Sequence, residues 1–166
     1  MGFIEDELAE VRKLCEHLLQ GCRLVSCVKI MVRAEIRKTE YKSIVVCIQF
    51  PENYPHVPLL LELKSKTISE KLLQRLTSVC EEEAKKHLGK VQVLKVLLFL
   101  KKFMDENPLC CCYDEITSLK VHMTSEEDQI KLKQRSSCLF VKFSNEGYYV
   151  SAKVVVHDNY PHVPVE

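Results

Sequence analysis

Apolar residues at the start of the chain recur at helical spacing: Ile4, Leu8, Val11, Cys15 and Leu18 share one face. Glu5, Asp6 and Glu7 fall in the first turn, where negative charge suits the helix dipole, and Gly21 is placed to cap the far end. From Val28 the period changes to two. Val28, Ile30, Val32, Ala34 and Ile36 alternate with other residues, which marks a strand with one buried face. After the polar connection Arg37–Lys42 the alternation returns at Ile44, Val46, Ile48 and Phe50, so the two strands form a hairpin that Pro51 ends. Leu59–Leu63 fits a third short strand. At Thr67 the period reverts to 3.6. Thr67-Ile68-Ser69-Glu70 fits a capping box, Leu73, Leu76, Cys80, Ala84 and His87 line one helical face up to Gly89, and Val91, Leu94, Leu97, Leu98, Phe103 and Met104 make a second helix that Asn107-Pro108 stops. A helix, antiparallel strands and two further helices predict an α+β sandwich over residues 3–107, folding alone, with Ile30, Val46, Ile48, Leu76 and Leu98 buried.

Past Leu109 the pattern weakens. Ile116–Met123 fits either strand or helix, Glu126–Arg135 is a candidate polar helix, and 108–135 is assigned as linker with an uncertain helix. Cys138–Phe143 and Tyr148–Val156 then form a second hairpin around Ser144-Asn145-Glu146-Gly147. Its outer strand repeats an earlier one. Asn53-Tyr54-Pro55-His56-Val57-Pro58 recurs letter for letter as Asn159-Tyr160-Pro161-His162-Val163-Pro164, an offset of 106 residues, and Val150, Ala152, Val154 and Val156 stand where Ile44, Val46, Ile48 and Phe50 stood. An offset of that size is domain-sized rather than solenoid-sized. Residues 136–166 are therefore expected to be a partial second unit, without the last strand and two helices that follow the turn in the first. Either the chain is a fragment or splice form of a longer one, or the half-unit docks onto the first.

These residues resemble the RWD domain family, the non-catalytic relatives of ubiquitin-conjugating enzymes. The helix Glu5–Gln20, the run Phe50–Pro58 and the helices after Thr67 carry the resemblance, over roughly residues 3–107 and partially over 114–166. The family pattern is Tyr-Pro-x-x-x-Pro; Pro58 and Pro164 each come one position early, with Leu59 and Val165 at the expected place. The resemblance implies an RWD-type, ubiquitin-conjugating-enzyme-like sandwich followed by a partial second copy. It also implies a non-catalytic protein-interaction scaffold, an adaptor in ubiquitin-, SUMO-related or other regulatory complexes. Tyr54, Pro55, Pro58, Tyr160, Pro161 and Pro164 are then structural turn residues rather than a catalytic site: each proline fixes φ and removes a donor, and a buried tyrosine covers the core while its hydroxyl finds a partner. His56 and His162 are expected to be exposed turn residues rather than metal ligands.

An active conjugating enzyme is the alternative. That chemistry needs an exposed nucleophilic cysteine and a neighbouring asparagine for the oxyanion. The chain has no His-Pro-Asn stretch, only a nine-residue step separates Leu63 from Leu72, and Cys80, the nearest thiol, lies in an apolar helical stripe. Neither a Gly-rich phosphate loop, nor Gly-x-Ser-x-Gly, nor His-Glu-x-x-His occurs, so no catalytic residue, cofactor or small-molecule substrate is expected.

Composition narrows the partners. Twenty-four basic against 23 acidic side chains leave a net charge of +1, so no overall field draws the chain to nucleic acid, and the basic runs Lys85-Lys86, Lys101-Lys102 and Lys131, Lys133, Arg135 are taken as solvated helix faces. The longest uninterrupted apolar run, Val96–Leu100, is far too short to cross a bilayer, so no membrane partner is expected. The acidic N-terminus is unlike a signal peptide, and Asp6 stands where myristoylation wants Ser or Thr. A cytoplasmic or nuclear location follows as the expectation, and the nine cysteines are assigned as reduced thiols. Cys110-Cys111-Cys112 lacks the paired spacing of a zinc site and is assigned to the linker as incidental. The remaining expectation is of protein partners of unspecified identity.

Overall fold

The computed structural model describes residues 2–166. Helix α1 (Phe3–Leu18) buries Leu8, Val11 and Cys15, with Ile4 packed against the same core. Leu18 faces water; Leu19, one residue beyond the helix, takes the core position because the chain has already left the helical path. Gly21, at φ +84°, turns the chain into the sheet rather than capping the helix, and a β-carbon there would strike the carbonyl oxygen of Arg37. Only glycine takes this φ without strain.

Four antiparallel strands follow in chain order: β1 (Cys22–Cys27), β2 (Val32–Thr39), β3 (Lys42–Gln49) and β4 (Leu60–Lys64). Their inward row is Val32, Ala34, Ile36, Ile44, Val46 and Ile48, all fully buried, with Leu63 from β4. One strand was expected over Val28–Ile36, and this is corrected. Val28–Met31 is a hairpin tip closed by Val28 and Met31 backbone bonds of 3.2 and 3.1 Å, so Ile30 is 81% exposed rather than core. The tip has no Gly, Pro or Asn to announce it, and the strand before it escaped notice because a register shift between Leu24 and Ser26 breaks its period.

Helix α2 (Glu70–Lys85) buries Leu73, Leu76, Cys80 and Ala84 against β4. Its cap is Ser69, whose hydroxyl accepts from Leu72 N at 3.3 Å, and not Thr67, whose hydroxyl donates to the Tyr41 carbonyl. His87 lies past the helix end. Helix α3 (Val93–Glu106) lies against β2, α1 and α2. It buries Val93, Val96, Leu97, Leu100 and Met104, which puts Leu98 on the opposite side, 41% exposed; the expected burial of Leu98 is corrected.

A 3₁₀ turn (Pro108–Cys112) leads into helix α4 (Tyr113–His122), then strands β5 (Gln129–Lys133), β6 (Cys138–Asn145) and β7 (Tyr148–Val155), antiparallel in that order. The ambiguous stretch 116–123 is thus mostly helix, while the candidate helix over Glu126–Arg135 contains strand β5, whose Gln-Ile-Lys-Leu-Lys sequence alternates with period two. The cysteine triplet, assigned to the linker as incidental, is packed into two cores. Cys110 packs into the first core, and Leu109, Cys111 and Cys112 into a second one with Ile116, Leu139, Val141 and Val156.

The two halves run in parallel. β6 and β7 begin and end 106 residues after β2 and β3. Beyond the second turn, Val155 and Glu166 exchange backbone bonds of 2.7 and 3.0 Å, and these residues lie 106 positions after the β3–β4 partners Gln49 and Leu60. The second half rests on the β2–β3 turn of the first. Thr39 donates its hydroxyl to the Asp158 carbonyl at 3.1 Å, the Lys42 ammonium bonds the Asp158 carboxylate at 2.9 Å, and Tyr41 stacks on His162. Lys42 is only 1% exposed.

Candidate functional site: a tyrosine-proline turn and its helix clamp

Between β3 and β4 the chain must leave the sheet edge and return beside it within ten residues. Pro51, Pro55 and Pro58 restrict it, and Tyr54 turns inward, its ring meeting Phe50 edge-on at 5.0 Å and Phe3 at 5.9 Å. Pro55 and Pro58 are half-buried. The Tyr54 hydroxyl donates to the carboxylate of Glu7, a residue of α1 that is itself buried. Burial, and then the Glu7 carboxylate, push that hydroxyl well above its ordinary pKa, so it remains a donor.

The other oxygen of Glu7 accepts from the backbone N–H groups of Gln92 and Val93, both at 2.8 Å. These lie at the N-terminus of α3, where N–H groups lack helical partners and the dipole favours a negative group. The Gln92 side chain returns to the turn: its oxygen accepts from Leu59 N at 3.1 Å and its amide donates to the carbonyls of Pro55 and Val57, each at 3.2 Å. Gly89 N adds a bond of 2.8 Å to the Pro55 carbonyl. Helix α1, the turn and α3 are thereby tied through Glu7, Tyr54 and Gln92, with every buried side-chain oxygen and nitrogen of the three partnered.

Glu7 and Gln92 escaped the sequence reading. The sequence places Glu7 with Glu5 and Asp6 as a first-turn acid that suits the helix dipole; standing four residues before Val11, it shares the buried face. Gln92 hides between Val91 and Val93, with nothing local to mark it.

The second turn is built on the same residues but stays open. Tyr160 is half-buried, Pro161 and Pro164 are exposed, and the Tyr160 hydroxyl reaches Glu115 of α4 at 3.3 Å. Glu115 bonds nothing else among the described contacts. His56 and His162 are both exposed, and His162 stacks on Tyr41.

The arrangement binds backbone and holds helices; it presents no nucleophile. Cys80 is wholly buried, and burial, with Glu83 and Glu81 behind it, pushes its thiol up to about 12. Among the described residues no three His, Cys, Asp or Glu side chains stand together as a metal site. Among them too, no helix is long and apolar enough to cross a membrane.

A comparison with curated proteins finds no match to the chain. The model of the RWD domain matches residues 5–104, which takes in nearly all of α1, the four-stranded sheet, the turn, α2 and nearly all of α3. With more than half of its length matched in this way, the chain belongs to the RWD domain family.

Proposed function

We propose that this chain is a non-catalytic adaptor of the RWD type, serving ubiquitin-, SUMO-related or other regulatory complexes through protein partners. RWD membership itself points to a protein-interaction module of ubiquitin-conjugating-enzyme-like fold. The observation that carries the finer reading is the clamp. The signature turn spends its tyrosine, its carbonyls and its nearest carboxylate on holding α1 and α3, and the one thiol of the helix that follows lies in the core with its pKa raised. In this reading the chain is an RWD domain at 3–107, a linker with an uncertain helix at 108–135 and a partial second copy at 136–166. Supporting the second copy are the shared hexapeptide, the coincidence of β6–β7 with β2–β3 at an offset of 106, and the reuse of a glutamate-tyrosine bond. Six turn residues, Tyr54, Pro55, Pro58, Tyr160, Pro161 and Pro164, then have a structural role. All nine thiols are free, which suits the cytoplasm or nucleus.

The test is charging with activating enzyme, ATP and ubiquitin or SUMO, read on a non-reducing gel. The expected result is no thioester on any cysteine. A thiol-sensitive adduct lost in Cys80→Ser would overturn the reading and favour a conjugating enzyme.

A further inference from the structure

In the second sheet, β5, β6 and β7 turn one face to α4 and the other to water. The outward face carries Lys131 and Lys133 from β5, Phe140 and Lys142 from β6, and Tyr149 and Lys153 from β7. Register sets Lys131, Phe140 and Lys153 in one row across the three strands, so an aromatic ring stands between two cations. No carboxylate stands on this face, and none of the four lysines has an ion-pair partner among the described residues. Two ammonium groups sit over rings instead, Lys133 over Phe140 at 4.8 Å and Lys142 over Tyr149 at 4.9 Å. A shallow groove of about 490 Å³ follows the row. The corresponding face of the first sheet is different: it mixes signs, and Arg23 with Glu35 and Lys64 with Glu62 are paired at 3.0 and 3.2 Å.

We propose that the lysine-rich outer face of β5–β7 docks an acidic segment of a partner protein, with carboxylates on the flanking lysines and an apolar side chain on Phe140. This deepens the adaptor reading by naming the partner's chemistry and rests on that reading. Neighbouring strands lie about 4.8 Å apart, so Lys131 and Lys153 are about 10 Å apart; a polyproline-II-like extended chain, rising about 3.1 Å per residue with three residues per turn, returns to the same face over that distance, which sets an acid-x-x-acid spacing. Charge complementarity of this kind gives specificity and fast encounter. A nucleic acid fits less well. With the four lysines set aside the chain is net acidic, so a long polyanion running off the patch meets repulsion, and no arginine stands on the face to grip phosphate with two parallel bonds.

The experiment is fluorescence anisotropy on the whole chain with labelled hexaglutamate, hexaglutamine and a single-stranded oligonucleotide of the same charge as hexaglutamate. Hexaglutamate is expected to bind with an affinity that falls steeply as salt rises, and hexaglutamine not to bind. Lys131→Glu with Lys153→Glu should weaken binding by about tenfold or more, while Lys85→Glu with Lys86→Glu at the end of α2 leaves it unchanged. Circular dichroism confirms that both double variants remain folded, and Phe140→Ala offers a smaller, charge-neutral loss. No binding at low salt, equal binding by both double variants, or binding of the oligonucleotide in preference to the peptide would each overturn the proposal. Ubiquitin charging is unaffected by any of these results, so the adaptor reading is judged separately.

Discussion

The two sheets repeat one order of elements, a helix and then antiparallel strands ending in the same turn, yet they differ sharply in what covers them. In the first, Ile44, Val46 and Ile48 are sealed under α1, α2 and α3. Their counterparts 106 residues on, Val150, Ala152 and Val154, are exposed, exposed and half-buried; Ile44 is 0% accessible and Val150 is 69%. The clamp differs in the same way. Glu7 holds a tyrosine and a helix N-terminus in the dry core, whereas Glu115 holds only a tyrosine, in water. The same apolar alternation produces a core in one place and a surface in the other, because burial is a property of what is laid over a strand and not of the strand alone.

Substitution at the two glutamates should break this comparison most visibly. Glu7→Ala strands the Tyr54 hydroxyl proton and the Val93 N–H in the core and leaves Gln92 N only the Tyr54 oxygen at 3.1 Å, and should cost about 3–5 kcal/mol in urea unfolding. Glu115→Ala should cost about 0.5 kcal/mol or less; comparable losses at both sites would mean that the second clamp is as sequestered as the first. Next comes the pair at matched strand positions. Ile44→Ala should cost about 2–5 kcal/mol by removing buried methyl groups, while Val150→Ala should move the unfolding midpoint little.

Hydrogen exchange sharpens the contrast without mutation. Amides of β3 should exchange only by global opening, and those at the Tyr148 end of β7 much sooner. Equal protection in both strands, persisting when residues 1–107 are deleted, would show the second sheet to be self-sufficient.

A smaller effect than at Glu7 or Ile44 belongs to the joint. Its bond to Lys42 holds the Asp158 carboxyl below the usual range. A depressed pKa stabilises docking fully above the ordinary carboxylate value, and that contribution is lost as pH falls through the depressed one. Asp158→Asn should therefore weaken protection of the second sheet by about 1 kcal/mol at neutral pH, since more than half of the Asp158 side chain is in water. It should also remove the acid dependence below about pH 4 that the unaltered chain shows.

Much of this architecture is legible in the periodicity of the sequence. Helices α1, α2 and α3, strands β3, β6 and β7 and the repeated turn follow from apolar spacing, because each buries one regular face. What stayed hidden is non-periodic or long-range. β1 is an edge strand with a bulge, and the tip at Val28–Met31 has no turn residues. Glu7 and Gln92 lie 85 residues apart and become a site only when α1 and α3 meet. Lys131 and Lys133 looked like a helix face until the register with Phe140 and Lys153 made them part of a surface. Cys110, Cys111 and Cys112 were assigned to a linker because nothing in the sequence says that two cores meet there.

The joint has a further consequence for assembly. The first sheet receives the second through Thr39, Tyr41 and Lys42. One offset along, the same three positions are Asn145, Gly147 and Tyr148, so the second sheet presents neither the cation nor the stacking ring that the first one used. A head-to-tail contact that closes no ring would otherwise invite an open filament. Here the receiving residues have no counterpart in the second sheet, so the contact that joins the two sheets is one the second sheet cannot offer again.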